Sequence, residues 1–205
     1  MLRGHPYVLV IEDDNFSMLS RRPFRSLIGP EHRRWALVRS VSKFLGPDMC
    51  LAVAASDPET AERLAMRLTP GTTWVSHLLQ RLVLALVTDA EVALRIAEAG
   101  AHYAARNDAF AARLAALGVP SAAGDGLNLW VPLPVPARDV SEQLMRRGWL
   151  VRAGDEFVLA DGPAASRRLR LTVHDLADAD ADRLAADIAA AVRAAGGRLI
   201  RAEME

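Results

Sequence analysis

Lysine is almost missing from this chain. Lys43 is the only one, and arginine holds every other Lys-or-Arg position. Arginine therefore supplies plain positive charge throughout, and the exception calls for chemistry beyond charge. An amine can lose its proton and attack a carbonyl, whereas a guanidinium stays charged. Lys43 is thus a candidate covalent anchor for an aldehyde, the rival reading being one ordinary surface lysine. Cysteine is as scarce: Cys50 alone excludes an internal disulfide and fits a reducing compartment. There is no excess charge of either sign, with formal net charge +0 and pI ≈ 7.0, which argues against an electrostatic nucleic-acid binder. No apolar run approaches the roughly 18 residues of a membrane span. The opening "MLRGHPYVLVIEDDN" has too short an apolar core, followed at once by acids, for a signal peptide. The five histidines, His5, His32, His77, His102 and His174, show no metal-ligand spacing, so no metal is expected. These absences predict a cytoplasmic protein with no membrane partner.

What is present reads as alternating strands and helices. "YVLVIEDD" places five apolar residues, 7–11, before a run of acids, as in a strand buried on both faces of a parallel sheet. "WALVRSVS" and "CLAVAAS" are two further strand candidates, and Pro23, Gly29, Pro30, Gly46 and Pro47 fill the turns between them. "SDPETAERLAMRL" reads as a helix capped by Ser56 or Asp57, with Pro58 in its first turn. Residues 72–89 read as a helix apolar on most faces and therefore buried. Thr88 and Asp89 can cap a long alanine-rich helix over residues 90–117, which Gly118, Val119 and Pro120 stop.

Beyond residue 118 the texture changes. "GDGLNLWVPLPVP" predicts a loop and a strand, and residues 141–147 a short helix ending at Gly148. "GWLVRAGDEFVLA" and "RLRLTV" are strand candidates. The closing helix is capped by Asp178, carries Leu184, Ile188 and Val192 on one stripe, and ends at Gly196. The expected architecture is α/β: a partial large domain over 1–118, mostly parallel sheet with helices, and a small α+β domain over 119–205.

Three residues then line up in chain order: Asp13 at the end of the first strand, Lys43 after the second, and Arg170 in "RLRLTV". In open parallel sheets ligands sit beyond the carboxyl ends of strands, where the first two fall. Read with their flanks, "VIEDDNF", "SVSKFLGPDM" and "LRLTV" resemble the segments of fold type I pyridoxal-phosphate enzymes, the aminotransferase class I and II family. The wording "IEDDNF…SVSKFLGPD…GDGLNLWVPLP" is closer still to the MocR-type branch of GntR-family transcriptional regulators. In that branch an aminotransferase-like domain follows a DNA-binding winged helix. The resemblance covers nearly the whole chain, and "SxSK-x-LGP-D" in order with "IEDD" is its most specific part.

The resemblance implies roles. Lys43 would hold pyridoxal phosphate through its aldehyde, as a Schiff base. Asp13 would keep the cofactor's ring nitrogen protonated, and Ser40 would contact its phosphate. Arg170 would grip the carboxylate of a small amino compound with a bidentate fork. Acids that merely begin a loop, a strand-end hydroxyl bonded to backbone, and a solvated basic turn with Arg167 and Arg168 are the rival readings of Asp13, Ser40 and Arg170.

Departures from the family pattern matter as much. "GPDMC" puts Cys50 where the family has a phosphate-binding arginine, so weak cofactor binding is expected. Phe16 cannot make the hydrogen bond of a tyrosine expected nearby. The family's glycine-rich phosphate cradle, ring-stacking aromatic and winged helix have no counterpart in the sequence, as expected of the C-terminal half of a longer protein. Three functions stay open: the effector domain of a MocR-type regulator, dimeric in its full-length context; a partial class I/II aminotransferase; and a degenerate, inactive fragment. The sequence leaves open whether this chain is an enzyme, and it contains no expected DNA-binding element.

Overall fold

A computed structural model describes residues 4–5, 7–68, 74–158 and 165–202, with side chains described through residue 196. The chain packs as two compact units, Met1–Gly100 and Ala101–Glu205.

The first unit holds a three-stranded sheet in the order β1 (Val10–Asp14), β2 (Trp35–Ser40), β3 (Ala52–Ser56). β1 and β2 run parallel, with Val10 opposite Trp35 and Asp14 opposite Arg39. β3 runs antiparallel to β2, so the sheet is mixed. The first strand lies further along the chain than the apolar run 7–11 predicts. It extends through the acids because Glu12 and Asp14 find donors for their carboxylates. Glu12 accepts from Ser26 Oγ (2.7 Å) and Leu27 N (2.5 Å), and Asp14 from Ser17 and Arg39. Tyr7 and Val8, by contrast, are exposed. The strand expected in "CLAVAAS" forms as β3, with its Ala52–Ala55 stretch exposed.

Helix α1 (Pro58–Leu68) starts as the sequence predicts, and the cap is Asp57. Its Oδ1 accepts from Thr60 N (3.0 Å) and its Oδ2 from Trp35 N (2.8 Å), tying the helix start to the start of β2. The side-chain and backbone bonds from Thr60 and Trp35 lower the Asp57 pKa to about 2.

Helix α2 is His77–Thr88, capped by Ser76 Oγ; positions 72–73 of the expected helix lie outside the described residues. Its expected burial is overturned: Val83 alone is buried, and Leu78 is 76% exposed. The apolar pattern is present, and among the described residues the segment around Val41 and Leu51 packs against Val83 and Leu79.

Helix α3 (Ala90–Ala116) begins at Asp89, whose Oδ1 accepts from Glu91 N (2.8 Å) and Val92 N (3.1 Å). It runs through the division between the units. In the first unit it passes close to a 3-10 turn, Ser17–Leu19: a Cβ on Gly100 would sit 2.7 Å from the Leu19 carbonyl oxygen. Glycine there is a packing requirement. α3 ends at Gly118 (φ 78°), with Val119 N bonding back to Leu114 O at 2.9 Å.

The second unit is better filled. Its antiparallel sheet has the order β4 (Leu129–Pro132), β6 (Arg168–Leu171), β5 (Arg152–Ala153). Leu129, Val131, Leu169 and Leu171 face inward on the period of two. They meet Val140 and Leu144 of α4 (Ala137–Met145), Leu184 and Ile188 of α5 (Asp178–Ala202), and Phe110 and Leu114 of α3.

Three details of this unit differ from the sequence reading. α4 starts four residues before the expected 141. Only Arg152–Ala153 of the candidate strand 148–160 is strand; Gly154–Phe157 is a 3-10 turn, and 159–160 lie outside the described residues. α5 continues past Gly196 to Ala202, and Asp178 turns its carboxylate to Arg106 (2.9 Å) and Arg113 (3.0 Å), not to a cap.

Candidate functional site

The parallel pairing of β1 with β2 brings the carboxyl ends of both strands to one edge. Asp13 lies one residue before the end of β1, Ser40 ends β2, and Lys43 follows three residues later. In the register, Asp13 is opposite Val38, so Asp13, Val38 and Ser40 share one face of the sheet.

Strand alternation then separates three consecutive acids. Glu12 and Asp14 lie on the face opposite to Asp13. Glu12 holds the 26–27 segment, as above. Asp14 is 7% exposed and accepts from Ser17 N (2.9 Å), Ser17 Oγ (2.5 Å) and Arg39 Nε (2.7 Å). Burial pushes the Asp14 carboxyl up, but the Ser17 bonds and the Arg39 guanidinium outweigh it and hold the pKa below its ordinary value. Arg39 is held on its other side by the Phe24 ring, 5.1 Å from the guanidinium carbon. Asp13 is exposed, and no described residue bonds to it. Two of the three acids are thus committed to the structure, and the third is available.

Lys43 sits in a tight segment between β2 and β3. Val41 and Leu51 flank it and are buried with Val83 of α2; Phe44, Leu45, Met49 and Leu79 pack around them. Backbone bonds from Phe44 N (3.2 Å) and Leu45 N (2.9 Å) to Val41 O, and from Met49 N to Gly46 O (3.1 Å), close the turns. Gly46 has φ 107°, a conformation that side-chain-bearing residues rarely adopt. The anchors point inward and Lys43 outward, exposed. An amine is therefore presented on a segment fixed at both ends.

The anion-binding side is thinner. Ser40 Oγ donates to Ser42 Oγ (3.2 Å) and accepts from Ser42 N (3.3 Å). Cys50 is exposed, with its thiol on Pro47 O at 3.3 Å, and places no cation beside Ser40. The residues present fit an aldehyde-bearing ring with a basic nitrogen: an amine and a carboxylate lie at one sheet edge. They provide little for its phosphate.

Arg170 belongs to the second unit. It lies on the outer face of β6, opposite Trp130 on β4 and Arg152 on β5, with its guanidinium carbon 5.1 Å from the centre of the Phe157 ring. Among the described residues no group of histidine, cysteine and acidic side chains could hold a metal ion, and no helix is long and apolar enough to cross a membrane.

Sequence reasoning missed the Asp14–Arg39 pair, since no local signal links residues 25 apart. It chose Asp13 over Asp14 by resemblance alone, without reading which face of the strand each acid takes. The period of two, counted from Val10, would have put Val10, Glu12 and Asp14 on one face and Asp13 on the other.

Residues 8–188 match the family model described as aminotransferase class I and II. Over 188 residues the chain is 44% identical to the vitamin B6 salvage pathway transcriptional repressor PtsJ of Salmonella typhimurium, covering 92% of this chain and 43% of that protein. Among solved structures it resembles LysN, the alpha-aminoadipate aminotransferase of Thermus thermophilus, with TM-score 0.75 and 21% identity over 95% of this chain and 52% of that one. The multiple substrate aminotransferase of Thermococcus profundus gives TM-score 0.79 at 16% identity, over 96% and 50%. The chain thus spans about half the length of the proteins it matches, and the structural likeness speaks for the fold alone.

Proposed function

The chain belongs to the aminotransferase class I and II family, and on that premise we propose that it is the pyridoxal-phosphate-binding, aminotransferase-like part of a MocR-type transcriptional regulator. In this reading residues 1–118 contribute to the large cofactor-binding domain and 119–205 form the small one. The regulator works in the cytoplasm and is dimeric in its full-length context. The 44% identity to a transcriptional repressor across nearly all of this chain supports that branch. The observation that supports cofactor binding is the pair of exposed groups at the carboxyl ends of two parallel strands, the Asp13 carboxylate near the end of β1 and the Lys43 amine just after β2.

When bound, pyridoxal phosphate supplies an aldehyde that couples to primary amines and a ring that stabilises negative charge beside it. The chain's residues hold it and set its protonation. Lys43 is the covalent tether, carried on a segment that Val41 and Leu51 hold in place. The Asp13 carboxylate would accept a hydrogen bond from the protonated ring nitrogen and favour that charged form. Ser40, whose hydroxyl bonds Ser42 here, would contact the phosphate. Cys50 adds no charge there, so affinity is low. A charge-assisted bond of the missing kind contributes about 1.5–3 kcal/mol, roughly tenfold or more in binding. Arg170 takes the carboxylate of a small amino compound, and the ligated state is what the regulator senses.

Borohydride reduction of the folded chain with pyridoxal phosphate, followed by digestion and mass spectrometry, tests the tether. A pyridoxyl label on Lys43 is expected; a label on the N-terminal amine alone rejects it. Aminotransfer assayed with pyruvate and oxoglutarate across amino acids should give no turnover. Turnover abolished by Lys43→Ala would favour an aminotransferase over an effector domain.

A further inference from the structure

The outer face of the second sheet is built unlike the rest of the surface. Trp130 and Arg170 are cross-strand partners, and Phe157 closes over both. The Trp130 and Phe157 rings meet edge to face, centroids 5.3 Å apart at 82°. Both remain substantially exposed, at 37% and 42%. Phe157 also supports the Arg170 guanidinium at 5.1 Å. Stacking on a ring uses the flat face of a guanidinium and leaves its N–H edges for an anion.

The described acids nearby bond elsewhere. Glu156 pairs with Arg152, and Asp155 Oδ1 accepts from Ser166 N at 2.9 Å. No described carboxylate reaches Arg170. The turn that carries Phe157 is fixed from below: a Cβ on Gly154 would lie 2.9 Å from the Arg168 carbonyl oxygen, so the turn lies directly against β6. The result is a guanidinium that no described carboxylate neutralises, framed by two aromatic rings that remain substantially exposed.

We propose that Trp130, Phe157 and Arg170 form a recognition site for a monocarboxylate that carries an aromatic ring, and that the two rings select the amino compound this domain senses. This rests on Arg170 being the carboxylate grip of the proposed function and adds the ligand's class. The carboxylate takes the N–H edges of Arg170 bidentately. The ligand's ring packs against Trp130 and Phe157, where aromatic pairs add roughly two- to tenfold in affinity beyond area alone. Among the described residues, a second carboxylate on the ligand would have to displace Glu156 from Arg152 or reach Arg168, two residues away on β6, while its hydration is lost against two rings. Dicarboxylates are therefore disfavoured.

Calorimetry on the full chain, with pyridoxal phosphate present, tests this using L-phenylalanine, L-alanine and L-aspartate. Phenylalanine should bind three- to tenfold more tightly than alanine, and aspartate no better than alanine. Phe157→Leu and Trp130→Leu should each shrink the phenylalanine preference, and Phe157→Tyr should keep it. Arg170→Gln should weaken both phenylalanine and alanine at least tenfold. Equal affinity for the three, tighter aspartate, no binding of any, or a preference untouched by both leucine variants would overturn the proposal. Circular dichroism of each variant checks that the fold persists, with Phe157→Tyr as the variant least able to disturb it. A parallel titration with 3-phenylpropionate without cofactor separates the two ideas. Ring-selective binding together with an unlabelled Lys43 rejects the cofactor reading and keeps this site; a labelled Lys43 with no ring preference does the reverse.

Discussion

Replacing Asp13 and Asp14 one at a time should give opposite phenotypes, although the two are neighbours. Asp14→Ala removes the acceptor for Ser17 N, Ser17 Oγ and Arg39 Nε. The bond from Ser17 N to the Asp14 carboxylate pins the start of the following 3-10 turn, and losing such an acceptor costs about 1 kcal/mol. The Ser17 hydroxyl adds about 1 kcal/mol. Arg39 is 40% exposed, so its guanidinium rehydrates and its share is at most about 1 kcal/mol. The expected loss is about 2–3 kcal/mol, concentrated in the first unit. Asp13→Ala removes an exposed carboxylate and should change stability by no more than about 0.5 kcal/mol. Cofactor affinity should respond in the other order, falling with Asp13→Ala when the ring nitrogen loses its partner.

Urea denaturation with hydrogen exchange reads the first effect, and absorbance titration with pyridoxal phosphate the second. Acid provides an independent check. The Asp14 pKa is lowered in the fold, so its contribution is complete above the ordinary value of 3.8 and disappears as pH falls through the lower folded value. The Asp14→Ala protein should therefore differ from the parent at neutral pH and converge with it in strong acid. A destabilised Asp13→Ala, or an Asp14→Ala with unchanged stability, would refute the assignment of faces.

Three other outcomes follow from particular contacts. Gly100→Ala should destabilise by about 1–3 kcal/mol, despite a helix-propensity gain of about 1 kcal/mol, because the new Cβ meets a backbone oxygen at 2.7 Å; a stabilised variant would disprove that approach. Cys50→Arg should tighten pyridoxal phosphate roughly tenfold in an absorbance titration, and no change would mean that Cys50 does not face the phosphate. The chain should self-associate in size-exclusion chromatography, since β3 has an open edge and an apolar groove of about 250 Å3 runs along Leu51, Val53, Val83, Leu84 and Val87. Val53→Asp with Leu84→Asp should reduce it, and hydrogen exchange should be slowest around Leu129, Leu169 and Ile188. A compact monomer protected most strongly in residues 10–56 would contradict both expectations.

Features encoded within a few residues were the legible ones. The Asp57 and Asp89 caps, the stop at Gly118 and the stripe of Leu184 and Ile188 each depend on neighbours in sequence, and the fold has them. Lys43 stood out because one residue type was otherwise unused. Burial of α2 was misjudged because hydrophobicity states what a face needs, not which elements cover it. Gly196 failed as a stop because its backbone does not turn left-handed as it does at Gly118 and Gly148, and α5 runs on to Ala202. The cross-strand pairs Asp14–Arg39 and Trp130–Arg170 depend on register, which no short window of sequence contains.

The segment that presents Lys43 also makes the chain its own reporter. A lysine-specific protease has a single site in these 205 residues, after Lys43. The side chain is accessible, yet its backbone is closed into turns by Val41 O and Gly46 O and pinned by Val41 and Leu51. Proteases require an extended stretch, so cutting awaits a local opening of the segment, and its rate measures that opening. The product is two fragments parted at one bond. Anything that occupies the amine removes the cleavage site altogether, and anything that only braces the segment slows the cut without abolishing it. One band on a gel thus separates covalent occupancy from conformational tightening.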